Sequence, residues 1–154
     1  MLKDETASAL FTEFVVEAES RLRRALTAAF GPDLGREAAA EALAYGWEHW
    51  ERISKMENPA GYLYRVGRDR GRRMRPLRPM RDAAWTSSEV WFEPGLENAM
   101  RSLSERQRVV VSLVHAFDWS MSEVAELLQV SKSAVQSYER RALRKLRKRL
   151  GAAT

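Results

Sequence analysis

Lys132, Ser133, Gln136, Ser137, Arg140, Arg141 and Arg144 crowd into one short stretch, and their side chains suit one kind of chemistry. Gln and Arg can each set two parallel hydrogen bonds on the edge of a base, and Lys and Arg meet phosphate oxygens. Between them run Val135, Tyr138, Ala142, Leu146 and Leu150, spaced by three or four residues. That spacing predicts a helix with its apolar stripe on a core and its polar set on the opposite face. From Arg140 to Arg149 the stretch holds seven Lys and Arg residues.

Such a helix needs a support. The preceding run SMSEVAELL supplies one, with Val124, Ala125, Leu127 and Leu128 as its apolar face. Ser120 followed by Glu123 is a capping box, which satisfies orphan backbone N–H groups at a helix start. Gln129-Val130-Ser131 is short enough to be the turn, and Ser131 can cap the next helix. A left-handed backbone at Gln129 would cost about 1 kcal/mol. Two helices, two caps and a tight turn make a helix-turn-helix, whose second helix enters the major groove. The bland alternative is a helical hairpin with a solvated basic face.

A second set lies in the middle of the chain. Asn58-Pro59 announces a helix, as a cap followed by proline at the first helical position. Leu63, Val66 and Met74 point inward, and Tyr62, Tyr64, Arg65, Arg68, Arg72 and Arg73 decorate the rest. Rings stack on unpaired bases while guanidinium groups meet phosphates, so this mixture suits single-stranded nucleic acid. The competing reading is that either tyrosine is core. Gly61, Gly67 and Gly71 each weaken the helix by roughly 1 kcal/mol relative to Ala, and they imply either close helix contact or fraying before Arg75.

Charge is distributed accordingly. Residues 1–60 hold 7 Lys/Arg against 11 Asp/Glu, residues 61–82 hold 8 against 2, and residues 83–154 hold 11 against 8. Two separate basic segments suggest two contacts with a polyanion, and the acidic first part suggests a protein partner. There, a helix from about Thr6 to Phe30 buries Phe11, Phe14, Val15, Leu22, Leu26 and Phe30, and Gly31-Pro32 ends it. The next helix, about 34–53, turns Ala39, Leu43, Trp47 and Trp50 one way and Glu37, Glu41, Tyr45 and Glu48 the other. An acidic row of this kind is a docking face or a solvated one.

Arg75 to Gly95 reads as a linker broken by Pro76, Pro79 and Pro94, although Trp85, Trp91 and Phe92 are too apolar for a pure spacer. Helices resume with Leu96, Met100 and Leu103, then with a second capping box at Ser104 and Gln107, ahead of Val110, Leu113, Val114 and Phe117. The expected fold is all-α: two small helical domains, 1–75 and 96–154, joined by a linker at 76–95, the C-terminal one a helix-turn-helix.

Other chemistry is poorly served. The chain of 154 residues has no cysteine, so disulfides and thiolate metal sites are excluded. His49 and His115 stand alone as packed or surface residues, and no metal or small-molecule cofactor is expected. GYLYRVG lacks the spacing of a phosphate loop, and no nucleophile–base pair stands out, so an enzyme is not expected. No apolar run approaches the ~20 residues of a membrane span, and the N-terminus lacks the pattern of a signal peptide, so the cytoplasm is the expected location.

The run LENAMRSLSERQRVVVSLVHAFDWSMSEVAELLQVSKSAVQSYERRALRKLRK resembles region four of bacterial RNA polymerase sigma factors of the extracytoplasmic-function type. In that family the region reads the minus-thirty-five promoter element. GREAAAEALAYGW resembles the helix that docks on the clamp helices of the polymerase largest subunit, with Glu37, Glu41 and Trp47 on matching positions. NPAGYLYRVGRDRGRRMR resembles the helix that engages and melts the minus-ten element, with Pro59, Tyr62, Leu63, Arg65, Val66 and Arg68 matching and Asp69 in place of the usual Asn. The segment from Ile53 to Asn58 falls where the family has its base-selecting loop.

The resemblance implies a promoter-specificity subunit with core polymerase and promoter DNA as partners, and it admits an anti-sigma factor as a third. Upstream duplex would be held by Lys132, Ser133, Gln136, Ser137, Arg140, Arg141 and Arg144. Promoter opening would fall to Tyr62, Tyr64, Arg65, Arg68, Asp69, Arg72 and Arg73, and polymerase binding to Glu37, Glu41, Tyr45 and Glu48. Two alternatives stay open: a stand-alone helix-turn-helix regulator, and an interaction protein docking through Trp85, Trp91 and Phe92.

Overall fold

A computed structural model of the chain describes residues 2–74 and 95–152. Helix α1 (Leu2–Phe30) is flanked by α2 (Pro32–Glu48), and α4 (Pro59–Met74) lies across both, with the short α3 (Trp50–Ile53) between them in sequence. Further on come α5 (Leu96–Arg101), α6 (Glu105–Val111), a π-helical turn (Ser112–Ala116), α7 (Met121–Leu128) and α8 (Lys132–Ala152). Among the described residues there is no strand, so the fold is all-α.

The expected stripe of α1 is buried through Leu22, Leu26 and Phe30, while Phe11, Phe14 and Val15 are half-buried. Gly31, at φ 91°, lets the chain double back into α2 with Pro32 in its first turn. Gly35 then presses on the α1 backbone: a Cβ there would lie 2.6 Å from the Thr27 nitrogen and 2.8 Å from the Leu26 carbonyl carbon. The α4 glycines serve close contact, and the helix runs on to Met74 without fraying. A Cβ on Gly67 would meet the Leu26 side chain at 2.6 Å, and one on Gly71 would meet the Phe30 ring.

The single helix expected over 34–53 is two. At His49 the backbone leaves the helical region, with φ −116° and ψ 22°. The break turns Trp50 inward onto Phe11 and Phe14, with ring centroids 5.2 Å away in both cases. Trp47, expected to share that buried face, is 48% exposed.

The two halves do not stand apart. One buried cluster runs from Leu22, Ala25 and Leu63 on the N-terminal side to Val109, Leu113 and Val124 on the C-terminal side. Arg108, buried, reaches across it, donating to the Leu103 carbonyl at 2.6 Å and to the Ala29 carbonyl at 3.0 Å. Ala29 lies in the last turn of α1, where the helix dipole favours a cation. A smaller cluster of Ala99, Met100, Leu103, Val111, Ala142 and Leu146 seats α5 on α8. Trp85, Trp91 and Phe92 lie outside the described residues.

Candidate nucleic-acid interface

The helix-turn-helix is assembled from the local signals its sequence carries. The Glu123 N–H donates to the Ser120 hydroxyl at 3.1 Å, and the Ser120 N–H donates to the Glu123 carboxylate at 3.2 Å. These bonds, and then the charge of Arg21, hold the Glu123 carboxyl below its usual range. Gln129 closes α7 in the left-handed region, at φ 58° and ψ 44°, and the Val130 N–H bonds back to the Ala125 carbonyl at 3.1 Å. Ser131 caps α8 by accepting from the Ala134 N–H at 3.0 Å.

Helix α8 is fixed from its inner side. Val135, Ala142 and Leu146 are buried, with Tyr138 and Leu150 half-buried beside them. The Arg106 guanidinium lies 5.6 Å from the Tyr138 ring centre, and Lys145 donates to Gln107 at 3.2 Å. His115 meets Glu139 at 2.9 Å, joining the π-helical turn to α8. Lys132, Ser133, Gln136, Arg140, Arg141 and Arg144 all face solvent, and Ser137 is half-buried. A helix held this way presents a preset row of donors whose backbone has little freedom left to lose on binding.

The middle set divides along α4. Arg65, Asp69 and Arg73 are exposed, and Tyr62 is half-buried. Tyr64 is core, contrary to the role expected for it: its ring is 2% exposed, and burial pushes its phenol up to about 12, with the nearby Glu105 carboxylate adding to the effect. Period-3.6 patterning places Tyr62 and Tyr64 on different sides of the helix, and packing decides which side is open. Arg68 is half-buried, and Arg72 holds both carboxylate oxygens of Glu105, from Nε at 3.2 Å and Nη2 at 3.0 Å.

On α2, Glu37 and Glu48 are exposed, while Glu41 accepts from Arg70 at 3.1 Å. Tyr45 stacks on His49 with ring centroids 4.0 Å apart. Two residues not expected at either site, Arg52 and Arg70, join the acidic row to α4. Arg52 donates to the Tyr45 hydroxyl at 3.0 Å and to the Tyr62 hydroxyl at 3.5 Å, with its guanidinium 5.5 Å from the Tyr62 ring centre. The hydrogen bond with Tyr45, then that from Arg52, lowers the Tyr62 phenol below its ordinary value. Nothing in the spacing of Arg52 announces this link, because it forms across three helices. Asn58 both caps α4, accepting from the Gly61 N–H at 2.9 Å, and reaches the Glu126 carbonyl at 2.6 Å. Among the described residues no group of three or more His, Asp or Glu side chains is placed to hold a metal ion, and no helix is long and apolar enough to cross a membrane.

These features have counterparts in known proteins. Residues 95–146 match the family described as Sigma-70, region 4. Over 73 residues the chain is 33% identical to the RNA polymerase sigma-F factor of Bacillus subtilis (strain 168), which is 47% of this chain but only 29% of that protein. In fold it is similar to the sigma factor RpoE of Bartonella quintana, solved in complex with the anti-sigma factor NepR. That match has a TM-score of 0.58 at 19% identity, covering 92% of this chain and 96% of the other. The helix-turn-helix with its capped, outward-facing α8 thus lies within the stretch that matches sigma-70 region 4, and the chain spans less than a third of the length of the sigma-F factor it resembles.

Proposed function

We propose that the chain is a promoter-specificity subunit that binds core RNA polymerase and promoter DNA and directs initiation of transcription. The observation that carries this reading is α8: a capped helix of region 4, clamped from behind, with Gln136, Arg140 and Arg141 turned to solvent. Gln136, Ser137, Arg140 and Arg141 select upstream bases, and Lys132, Ser133 and Arg144 hold phosphates. Glu37, Glu41, Tyr45 and Glu48 form the polymerase-facing row on α2. Tyr62, Arg65, Arg68, Asp69, Arg72 and Arg73 form the promoter-opening face of α4. The halves 1–75 and 96–154 act as two units on the DNA, joined by 76–95.

The test is transcription in a purified system of core polymerase, this chain and a library of promoter fragments. Initiation from a defined start on a subset of fragments is expected, and it should be lost when Glu37 and Glu41 are both changed to Lys in a chain that still folds. A chain that binds duplex DNA but neither associates with core polymerase nor supports initiation would refute the reading and favour a stand-alone regulator.

A further inference from the structure

Two phenols and a guanidinium meet where α2, α3 and α4 converge. Tyr45 stands near the end of α2, Arg52 on α3 and Tyr62 in the first turn of α4. Tyr45 is braced by stacking on His49 and by the Arg70 guanidinium, 5.9 Å from its ring centre. Arg52 comes from a turn of helix whose Trp50 and Ile53 are buried, so its backbone is anchored while its side chain lies in solvent.

The polar contacts among the three are specific. Nη2 of Arg52 donates to the Tyr45 hydroxyl at 3.0 Å, and both terminal nitrogens of Arg52 lie 3.5 Å from the Tyr62 hydroxyl. The two hydroxyls are themselves 3.5 Å apart. Hydrogen bonding to Tyr62, and then to Tyr45, raises the Arg52 guanidinium above its ordinary value. Glu48 and Glu51 line the same open cleft, yet among the described residues Arg52 is bonded to the phenols and not to either carboxylate.

A phenol held by its hydroxyl has few orientations left. Ordering a side chain on binding costs affinity, and a ring ordered beforehand avoids that cost. The saving matters most for a ring that stacks on an unpaired base, because stacking depends on orientation. Tyr62 is half-buried, so part of its ring stays open to a ligand.

We propose that Arg52 is a positioning residue for capture of single-stranded DNA: with Tyr45 it pins the Tyr62 hydroxyl, so that the ring meets an unpaired base already oriented. The proposal rests on the promoter-opening reading of α4 and deepens it. It gives α3 a task in that site, although Arg52 itself acts through Tyr62 and does not touch the strand.

The experiment measures binding of a labelled single-stranded DNA of mixed sequence to the full chain by fluorescence anisotropy across a salt series. The parent is compared with Arg52→Met, Tyr62→Phe, the two changes together, and Tyr62→Ala. Arg52→Met keeps the stem and removes the donors, while Tyr62→Phe keeps the ring and removes the anchor. Each should weaken binding about fivefold, the scale of ordering one side chain. The double variant should be no weaker than either single one, because both changes cut the same link. The dependence of log affinity on log salt should stay parental in Arg52→Met. Losses that add in the double variant, or a slope shallower by about 0.7, would make Arg52 a direct phosphate contact and overturn the proposal. Parental affinity in either single variant would overturn it as well.

A second readout follows the phenol. Tyrosinate absorbance is titrated in the parent and in Arg52→Met, each with its Tyr62→Phe counterpart subtracted. The Tyr62 phenol should titrate higher in Arg52→Met, because a hydrogen bond that favours its ionised form is gone. An unmoved titration would show that Arg52 does not hold the hydroxyl, and would overturn the proposal. Tyr62→Ala separates the two levels of the argument. A deep loss there, beside parental binding in Arg52→Met and Tyr62→Phe, removes the positioning role and leaves the stacking role of Tyr62. Parental binding in Tyr62→Ala removes both.

Discussion

Tyr64 offers a sharp test of the packing. Its ring is 2% exposed, and its phenol is pushed up to about 12 from an ordinary 10.0, first by burial and then by the Glu105 carboxylate. The folded chain therefore holds this proton more tightly than the unfolded chain. Below pH 10 both states keep it, and the contribution to stability is complete and flat. Between pH 10 and about 12 the unfolded chain ionises first, and the folded state loses up to about 3 kcal/mol relative to it. The perturbation is Tyr64→Phe, which keeps the ring and removes the titrating group. The assay is urea unfolding followed by far-UV circular dichroism, at pH values below 10 and approaching 12, on the parent and the variant. Lysines and the other tyrosines titrate in both chains, so the difference between the two curves isolates Tyr64. The variant should gain on the parent as pH rises through this window. If the two chains lose stability in parallel, the Tyr64 hydroxyl is in contact with water, and the seating of the C-terminal half on α4 is wrong.

Other changes probe other links. Gln129→Gly should stabilise the chain by about 1 kcal/mol by relieving the left-handed backbone, and Asp118→Gly, at φ 61°, should do the same. An unchanged urea midpoint for both would mean that those turns are not strained. Gly35→Ala should cost at least about 2 kcal/mol, because its Cβ would collide with the α1 backbone at Thr27, which cannot step aside as a side-chain tip could. Near-neutral behaviour would show that α1 and α2 pack more loosely. Gln136→Ala and Arg140→Ala should each weaken binding to one upstream duplex by about 1–3 kcal/mol relative to random duplex. Equal loss on both duplexes would reduce these side chains to phosphate contacts.

The parts of the fold legible in the sequence are those governed by neighbours three or four residues apart. The capping boxes at Ser104 and Ser120, the cap at Ser131, the left-handed Gln129 and the solvent-facing row on α8 all depend on local backbone geometry. The features that escaped are settled by distant partners. Trp47 and Trp50 sit three residues apart and read as one face, and both rings pack on Phe11, yet after the break at His49 only Trp50 is buried while Trp47 stays 48% exposed. Tyr62 and Tyr64 fall on different sides of α4 by periodicity, but which of them is covered is decided by the packing of distant residues. Arg108, which the sequence does not single out, is buried with two carbonyls from separate parts of the chain converging on it. No local pattern encodes that convergence. The π-helical turn at Ser112–Ala116 likewise has no periodic signature, since it is an interruption of one.

The makeup of the contact between the halves bears on whether they can part without unfolding. The α1 face that meets the C-terminal half is built largely of small side chains, with Ala18, Ala25 and Ala29 around Leu22. Alanines bury little area, and the hydrophobic contribution scales with area at about 25 cal/mol per Å². The buried cluster of Leu63, Val109, Leu113 and Val124 also spans the halves, and polar ties add to it: Arg21 to Glu123, Arg72 to Glu105 and Asn58 to the Glu126 carbonyl. Partly exposed ion pairs contribute about 0–1 kcal/mol each, and water replaces them when they separate. Arg108 fits the same pattern. Its bond to the Leu103 carbonyl lies within the C-terminal half and survives parting, while the bond to the Ala29 carbonyl is the one exchanged for water. Each half also keeps a tight internal packing of its own, through Gly35, Gly67 and Gly71 in one and through the α5–α8 cluster in the other. The contact between the halves joins two units that each keep a packing of their own. It is the one expected to open first under mild urea, with Tyr64 becoming accessible before the helices of either half are lost.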